Sequence, residues 1–239
     1  MKKLRYIVMS TIGILVLGSH LTVCAQEGRS GNSLPPYFKP ATAGAIAPHE
    51  DGFIQRWLLL EPISNGLRSN AGFNESFVRE AFNTPYFPNQ FTVVPKDGDT
   101  VTVEGSELKW HAMDATGFNV KLFRFAGMLD KPIYGITCWA VTIVDSPREI
   151  KNVRMAVGSN SASMWWVNGE EAVCLFGDRR MVMDDCMSNR LTLKKGVNII
   201  RGAVINGPGM SDFCVRFIDE EGNPVKDIQI NLDKAGSDA

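Results

Sequence analysis

Histidine is scarce in this chain, and the sequence lacks both an excess of basic residues and, beyond its first 25 residues, a long apolar run. Of its three histidines, only His49 and His111 follow the N-terminal segment, and no CxxC pair is present, so the sequence predicts no zinc site. The formal net charge is −1 and no basic patch is concentrated anywhere, which argues against nucleic acid as a partner. No later apolar run is long enough to cross a bilayer.

The first 25 residues have the pattern of an export signal. Basic residues at positions 2, 3 and 5 precede a short apolar run, and Val23-Cys24-Ala25 offers small residues for cleavage before Gln26. The pattern predicts a signal peptide over 1–25 and a periplasmic or secreted protein. Two alternatives stay open: a short membrane anchor, and an outer-membrane lipoprotein, since LTVC resembles a lipid-attachment motif.

The remaining chain divides by composition. Residues 26–51 are rich in Gly, Ser, Pro and Ala and predict a flexible tether, with an arm lying across the domain as the alternative. Residues 52–232 carry the fold, and 233–239 are expected to form a disordered tail. Four cysteines follow the signal peptide, and they are expected to be buried free thiols, with one or two disulfides as the alternative: Cys138, Cys174, Cys186 and Cys214.

Short strand patterns separated by turn residues fill residues 91–218. In SASMWWVNGEEAVCLF, Asn168-Gly169 fits a two-residue type I′ turn, because both central residues of that turn need positive φ. YGITCWAVTIV is apolar at successive positions and predicts a central strand. Further strands are predicted at 91–95 and 120–127. About ten strands at regular spacing predict an all-β antiparallel sandwich or jelly roll.

One short helix is predicted, over Glu75–Phe82. Asn74 is placed to cap its first turn, and Phe73 and Val78 occupy the two positions of a hydrophobic staple. Pro85 prevents the helix from continuing.

The second half of the chain resembles a known group of domains. VRMAVGSNSASMWWVNGEEA, LTLKKGVNIIRGAVINGPG and DFCVRFIDEEGNPV look like the jelly-roll accessory domains of bacterial glycan-degrading enzymes. These include the sugar-binding domain of family 2 glycoside hydrolases, galactose-binding-like modules and the N-terminal domains of acetylxylan-esterase-type proteins. The resemblance covers about residues 53–232 and implies a galactose-binding-like fold that binds sugar or packs beside a catalytic domain.

No catalytic residue is predicted. The nucleophile elbow GxSxG is absent, and the nearest string, Gly158-Ser159-Asn160-Ser161-Ala162, lacks the closing glycine. His111 is expected to be a structural strand residue. A two-carboxylate glycosidase needs only two acids across a cleft, so an enzyme activity, as a carbohydrate esterase or glycoside hydrolase, is left open.

Tryptophans supply the predicted sugar platform. Trp165 and Trp166 are adjacent in a strand and must point to opposite faces of the sheet. By its place in the WxNG pattern Trp166 is assigned to the core, which leaves Trp165 as the exposed platform. Trp57, Trp110 and Trp139 are predicted to be core residues.

Two polar loops complete the predicted binding site. The loop 176–190 brings Arg179, Arg180, Asp184 and Asp185, and Asn206 begins the loop 206–212. An arginine fork can bridge vicinal hydroxyls or hold a uronate carboxylate. The alternative is that the arginines pair with the acids and order the loop. No cofactor is predicted, with calcium as the alternative, since the loops offer oxygen ligands but no fixed ligand spacing.

Two functions follow as expectations. The first is an exported, noncatalytic carbohydrate-binding or accessory module of a polysaccharide-degradation system, whose partners are a polysaccharide or oligosaccharide and a glycan-degrading enzyme. The alternative is a subunit or fragment of an acetylxylan-esterase-type carbohydrate esterase that acts by docking to a catalytic partner.

Overall fold

Fourteen β-strands and two short α-helices form in residues 37–234, the part of the chain that the computed structural model describes. The strands are β1 (Phe38–Pro40), β2 (Arg56–Leu60), β3 (Ile63–Ser64), β4 (Thr100–Val103), β5 (Ser106–Ala115), β6 (Ile136–Ser146), β7 (Ile150–Ser159), β8 (Ala162–Val167), β9 (Glu170–Leu175), β10 (Cys186–Met187), β11 (Leu191–Leu193), β12 (Gly196–Asn206), β13 (Phe213–Ile218) and β14 (Gln229–Ile230). The helices are α1 (Glu75–Asn83) and α2 (Leu122–Met128), and a 3₁₀ turn covers Leu232–Lys234. The predicted signal peptide lies outside the described residues.

The strands form two antiparallel sheets, which confirms the predicted β-sandwich. The larger sheet has ten strands, with seven in the order β1-β5-β2-β6-β12-β8-β9; β3 and β14 also pair with β6, and β4 pairs with β5. The smaller sheet contains β10, β7, β11 and β13. The predicted central strand is β6, which pairs with β12 from Ile136↔Asn206 to Ser146↔Gly196.

The larger sheet is buried on both faces. One apolar cluster lies between the two sheets and contains Trp57, Val157 and Phe217. A second cluster lies on the opposite face, where α1 and the segment 84–95 cover the sheet around Trp110 and Trp139. The predicted core positions of these three tryptophans are confirmed, because each is at most 1% exposed.

Local sequence signals for the first helix and the hairpin are confirmed. The Asn74 side chain accepts a hydrogen bond from the Phe77 amide at 2.9 Å, and α1 ends one residue later than predicted. At the β8–β9 turn, Asn168 and Gly169 have φ of 53° and 85°, as a type I′ turn requires.

Two predicted strands are wrong. Phe91 and Thr92 end a turn in which the amides of Thr92 and Val93 both donate to the Asn89 carbonyl, and residues 93–95 are irregular. Residues 120–127 mostly form α2, so the fold has two short α-helices rather than one. The buried residues Leu122, Phe125 and Ala126 have the three- and four-residue spacing of a helix.

The segments at the two ends of the described range, 37–51 and 233–234, pack more closely than predicted. The flexible tether is wrong for residues 37–51, which form the alternative, an arm across the domain: β1 pairs with β5, Phe38 is buried, and Ile46 bridges Ile230. The expected disordered tail is wrong for Asp233 and Lys234, because the Asp233 carboxylate accepts the Gly44 amide at 2.6 Å. Residues 26–36 and 235–239 lie outside the described range.

Candidate functional site

The predicted platform, Trp165, is not on the surface. Its side chain is 0% exposed and lies between the two sheets, with its ring 5.9 Å from the Trp57 ring and 4.9 Å from the Phe213 ring. Its indole Nε1 donates to Ser163 Oγ at 2.9 Å. The prediction that Trp165 stacks on sugar is therefore wrong, because the smaller sheet covers that face.

Gly202 explains why Trp165 fits there. Gly202 faces Trp165 across the β12–β8 pair, and a Cβ on this glycine would lie 2.2 Å from Trp165 Cζ3. The indole occupies the space that any larger side chain at position 202 would need. Trp166, as predicted, belongs to the core: it is 7% exposed and stacks on Trp139, with the ring centroids 5.8 Å apart.

The predicted loop residues are mostly occupied by the fold. Arg179 Nε donates to Asp185 at 2.8 Å, and Asp184 pairs with Arg216 on β13. This is the loop-ordering alternative, and it leaves Arg180 exposed. Asn206 is 1% exposed, so it is not an accessible ligand contact. Its side chain accepts from Ser161 Oγ at 2.8 Å and donates to the Gly209 carbonyl at 2.7 Å.

The two predicted loops do lie together. Asn70 Nδ2 donates to Asp178 in one loop and to the Pro208 carbonyl in the other, at 2.8 and 3.2 Å. Asn160 joins them a second time, since it accepts the Met181 amide and donates to the Asp212 carboxylate. These loops expose four polar or charged side chains, Asp178, Arg180, Asn189 and Arg190, and five large apolar ones: Phe176, Val182, Met183, Met187 and Met210.

Polar groups that could have formed a hydrolytic site have other partners. Ser159 Oγ bonds Ser163 Oγ at 2.7 Å, and the Ser161 hydroxyl is held by Asn206. His111 Nε2 lies 3.1 Å from Glu61 Oε1, which agrees with its predicted structural role. A serine triad requires a hydrogen bond between a serine hydroxyl and an imidazole, and none of these contacts is of that kind.

Candidate metal ligands cluster away from the predicted loops. Within residues 37–234, the one group of three such side chains whose ligand atoms lie within 4.8 Å of one another is His49, Glu50 and Asp51, in the arm. Glu50 and Asp51 are exposed and His49 is half-buried.

A cavity opens on the outer face of the larger sheet, beside the tip of the β8–β9 hairpin. It has a volume of about 340 Å³ and is lined on one side by the turn segment 91–94 and on the other by Asn168, Gly169 and β12. We call it the Phe91–Arg201 cavity. Its volume is at the lower end of the range for small-molecule sites.

Phe91 supplies the aromatic surface of this cavity. Its ring is 36% exposed, and it is held in edge contact with the rings of Trp139 and Trp166, at centroid distances of 6.1 and 6.2 Å. Two buried tryptophans thus fix the orientation of an accessible ring, which is the arrangement predicted for Trp165 but with a different residue.

Asn168 fixes the opposite wall. Its Oδ1 accepts the Ile199 amide at 2.9 Å, its Nδ2 donates to Asn198 Oδ1 at 3.0 Å, and its own amide donates to the Ile199 carbonyl at 2.8 Å. These bonds tie the hairpin tip to β12. The open side of Gly169, where a Cβ would meet nothing within 4 Å, leaves room at the rim.

Arg201 forms the floor of the cavity and is only 4% exposed. Its Nη2 donates to the Val93 carbonyl at 2.5 Å, while its buried Nη1 has no hydrogen-bond partner and no described carboxylate pairs with the guanidinium. Burial lowers the pKa of Arg201 to about 10, so the side chain is still protonated at neutral pH.

Arg56 is a second buried arginine of this fold, and it differs from Arg201 in the number of its hydrogen bonds. It is 1% exposed, and its Nε and Nη2 bind the two oxygens of Asp114 at 2.7 and 2.8 Å. Its Nη1 donates to the Gly44 carbonyl at 2.6 Å, and Nη2 also reaches Thr42. Arg201 makes one such hydrogen bond where Arg56 makes four, and no carboxylate of the described residues balances its charge.

Sequence reasoning missed both Phe91 and Arg201. The available signal was VNIIRGAVI, an apolar strand interrupted by a single arginine, since a charge in a buried strand needs a partner. Phe91 was assigned to a strand that does not form, so its position over the sheet could not be inferred.

Comparisons with known proteins complete the description. No family model matches this sequence, and no curated protein matches it. The solved structures that are similar include a PA14 sugar-binding domain from an RTX adhesin, at 10% identity and a TM-score of 0.42, covering 73% of this chain and 96% of that one. The PA14 domain of the MpAFP antifreeze protein gives 11% identity and a TM-score of 0.39, with 81% and 95% covered.

A β-glucuronidase from Ruminococcus gnavus is also similar, at 12% identity and a TM-score of 0.35, with 82% of this chain and 40% of that chain covered. Likenesses at these identities and scores do not identify a family, and they carry no argument about function. They do not confirm the finer resemblance to family 2 glycoside hydrolases or to acetylxylan-esterase-type proteins. No helix within the described part of the chain is long and apolar enough to span a membrane.

Proposed function

We propose that this chain is a noncatalytic carbohydrate-binding or accessory module that holds a saccharide in the Phe91–Arg201 cavity. The observation that carries the proposal is the accessible Phe91 ring, fixed by two tryptophans beside a polar floor. Sugars present apolar C–H faces that pack on aromatic rings, and hydroxyls that need polar partners at the edge of the same site.

A neighbouring cavity supports binding of a saccharide chain rather than a single sugar. It has a volume of about 370 Å³, lies on the other side of the hairpin tip, and shares Asn168 and Lys194 with the Phe91–Arg201 cavity. Its lining includes Glu171, which is paired with Arg79, and Arg190, which donates to the Asn152 carbonyl. The polar side chains of Asn189 and Thr192 also line it, and they offer hydrogen-bonding groups to the hydroxyls of an adjoining sugar residue.

The setting we propose is export by the N-terminal 25 residues to the periplasm or the exterior, in a polysaccharide-degradation system with a glycan-degrading enzyme as partner. Nucleic acid is not proposed, since the net charge is −1. Binding is proposed to need no cofactor, because the cavity is lined by three basic residues and by no carboxylate of the kind that calcium sites use. A chelator is therefore expected to leave glycan binding unchanged.

A second candidate function is docking to a catalytic partner, such as a carbohydrate esterase of the acetylxylan-esterase type. The observation that favours it is the set of exposed apolar side chains on the loops 176–190 and 206–212, among them Met183 and Met210 at 54% and 61% exposed. Methionine is common on adaptable binding surfaces.

Affinity electrophoresis of the purified protein through gels containing neutral and acidic polysaccharides tests the primary proposal. We expect retardation by at least one polysaccharide, and a loss of affinity of about tenfold in Phe91→Ala, equivalent to roughly 1.4 kcal/mol. Tyr134→Ala is the matched control, because Tyr134 is 55% exposed and does not line the cavity. Equal retardation of Phe91→Ala and wild type would refute this site, and no retardation by any polysaccharide would favour docking.

A further inference from the structure

We infer that the saccharide held in the Phe91–Arg201 cavity is anionic, carrying a carboxylate, as in a uronic acid, or a sulfate ester. This inference rests on the proposed function and names its ligand class. It is drawn from the charges that line the cavity and from the unused donors of Arg201.

The charged residues that line the cavity are all basic. Arg201, Lys194 and Lys234 line it, and none of its lining residues is acidic. Lys234 Nζ lies 2.7 Å from Asp145 Oδ2, so this carboxylate partly neutralises the lysine charge. Arg201 and Lys194 make no ion pair among the salt bridges of the described residues, and these two positive charges remain for a ligand.

Arg201 is suited to an oxyanion rather than to a hydroxyl. The planar guanidinium presents parallel N–H donors that match two oxygens of a carboxylate or sulfate, and such charge-assisted pairs are about twice as strong as neutral hydrogen bonds. Nη1 is without a partner, whereas the comparable atom of Arg56 has one. A buried charge without a counter-ion lowers the stability of the fold, and an anion bound at the cavity floor would supply that counter-ion.

Access to Nη1 passes the turn segment 91–94. Nη1 is shielded from water, and the wall above it consists of turns held at Asn89, not of a paired strand. We therefore expect a small outward shift of Thr92 and Val94 when the anion binds, while the Phe91 ring keeps its contacts with Trp139 and Trp166.

Matched polymers distinguish this inference from the proposed function. The assay is affinity electrophoresis with polygalacturonate against its methyl ester, and with dextran sulfate against dextran, so that the members of each pair share a sugar backbone and one of them lacks the anionic group. We expect the charged member of at least one pair to bind at least tenfold more tightly than its neutral partner. Which pair responds tells carboxylate from sulfate.

Two variants assign the preference to the cavity. Arg201→Met is expected to lose the preference for the charged polymer, whereas Arg180→Met, which removes an exposed arginine from the loop 176–190, is expected to keep it. Equal binding of charged and neutral polymers would overturn the anionic ligand and leave carbohydrate binding standing. A preference for the charged polymer that survives Arg201→Met would also overturn the inference of an anionic ligand in this cavity. The absence of binding to any polymer would overturn the proposed function itself.

Discussion

Replacing Arg201 with methionine is expected to stabilise the protein. The pKa of Arg201 falls to about 10 through burial, and each pKa unit corresponds to about 1.4 kcal/mol, so the buried charge costs roughly 3 kcal/mol. The hydrogen bond from Nη2 to the Val93 carbonyl offsets about 1 to 2 kcal/mol of that cost. Methionine fills a similar volume without charge, so the net gain in the free energy of unfolding is roughly 1 to 2 kcal/mol.

Urea unfolding followed by tryptophan fluorescence measures this gain. In a separate thermal melt, we expect the Tm of Arg201→Met to rise by about 2 to 8 °C for a chain of this size. Because the folded-state pKa lies below the ordinary arginine value, the charge cost is fully present at neutral pH and is relieved only as the pH rises through about 10. The gain should therefore be constant between about pH 5 and pH 8.

Arg56→Met and Arg201→Lys are the controls. Arg56→Met leaves the Asp114 carboxylate without its ion pair and is expected to lose about 3 to 5 kcal/mol. Arg201→Lys keeps the buried charge and is expected to gain nothing. A loss of more than about 1 kcal/mol in Arg201→Met would refute the reasoning, because it would make Arg201 a structural anchor like Arg56.

Three further outcomes are expected. Trp165→Ala should lose about 3 to 5 kcal/mol of unfolding free energy in denaturant titrations; unchanged stability would contradict its buried position. Burial opposes the ionisation of Glu61, but hydrogen bonds from His111 and Lys131 outweigh it and lower its pKa. The stability gap between wild type and Glu61→Gln, about 1 kcal/mol at pH 7, should accordingly close as the pH falls below the ordinary glutamate pKa and through the lowered one, and a gap independent of pH would refute this. Burial raises the pKa of Cys138 to about 12, so iodoacetamide should modify it only after denaturation, and mass spectrometry of native protein showing its alkylation would count against the fold.

Local signals predicted the elements that local interactions determine. The cap at Asn74 and the Asn168-Gly169 turn depend on neighbouring atoms, and both were located correctly. The strand β6 was recognised as central because apolar residues occupy both of its faces. The residues 120–127 were read as a strand although their apolar spacing suits a helix equally well, and short apolar segments leave that choice to tertiary packing.

The candidate site was harder to predict because it depends on which layer covers which face. Because successive side chains of a strand point to opposite faces of the sheet, the sequence correctly predicts opposite faces for Trp165 and Trp166. It does not reveal that both faces are covered. Arg201 and Phe91 are 110 residues apart and meet through the register of β12 and the path of a turn segment. Only the lone charge in an apolar strand pointed towards this site.

The bonds that Asn168 makes to β12 give the two walls of the cavity different mechanical properties. The hairpin wall is continuous with the hydrogen-bond ladder of the central sheet, whereas the wall at 91–94 is a turn segment without strand pairing. A ligand therefore meets one preorganised surface and one adjustable surface, which lowers the entropy lost on binding at the first and permits accommodation at the second. The rigid wall would set the orientation of a bound saccharide, and the adjustable wall would set the range of sizes that the module accepts.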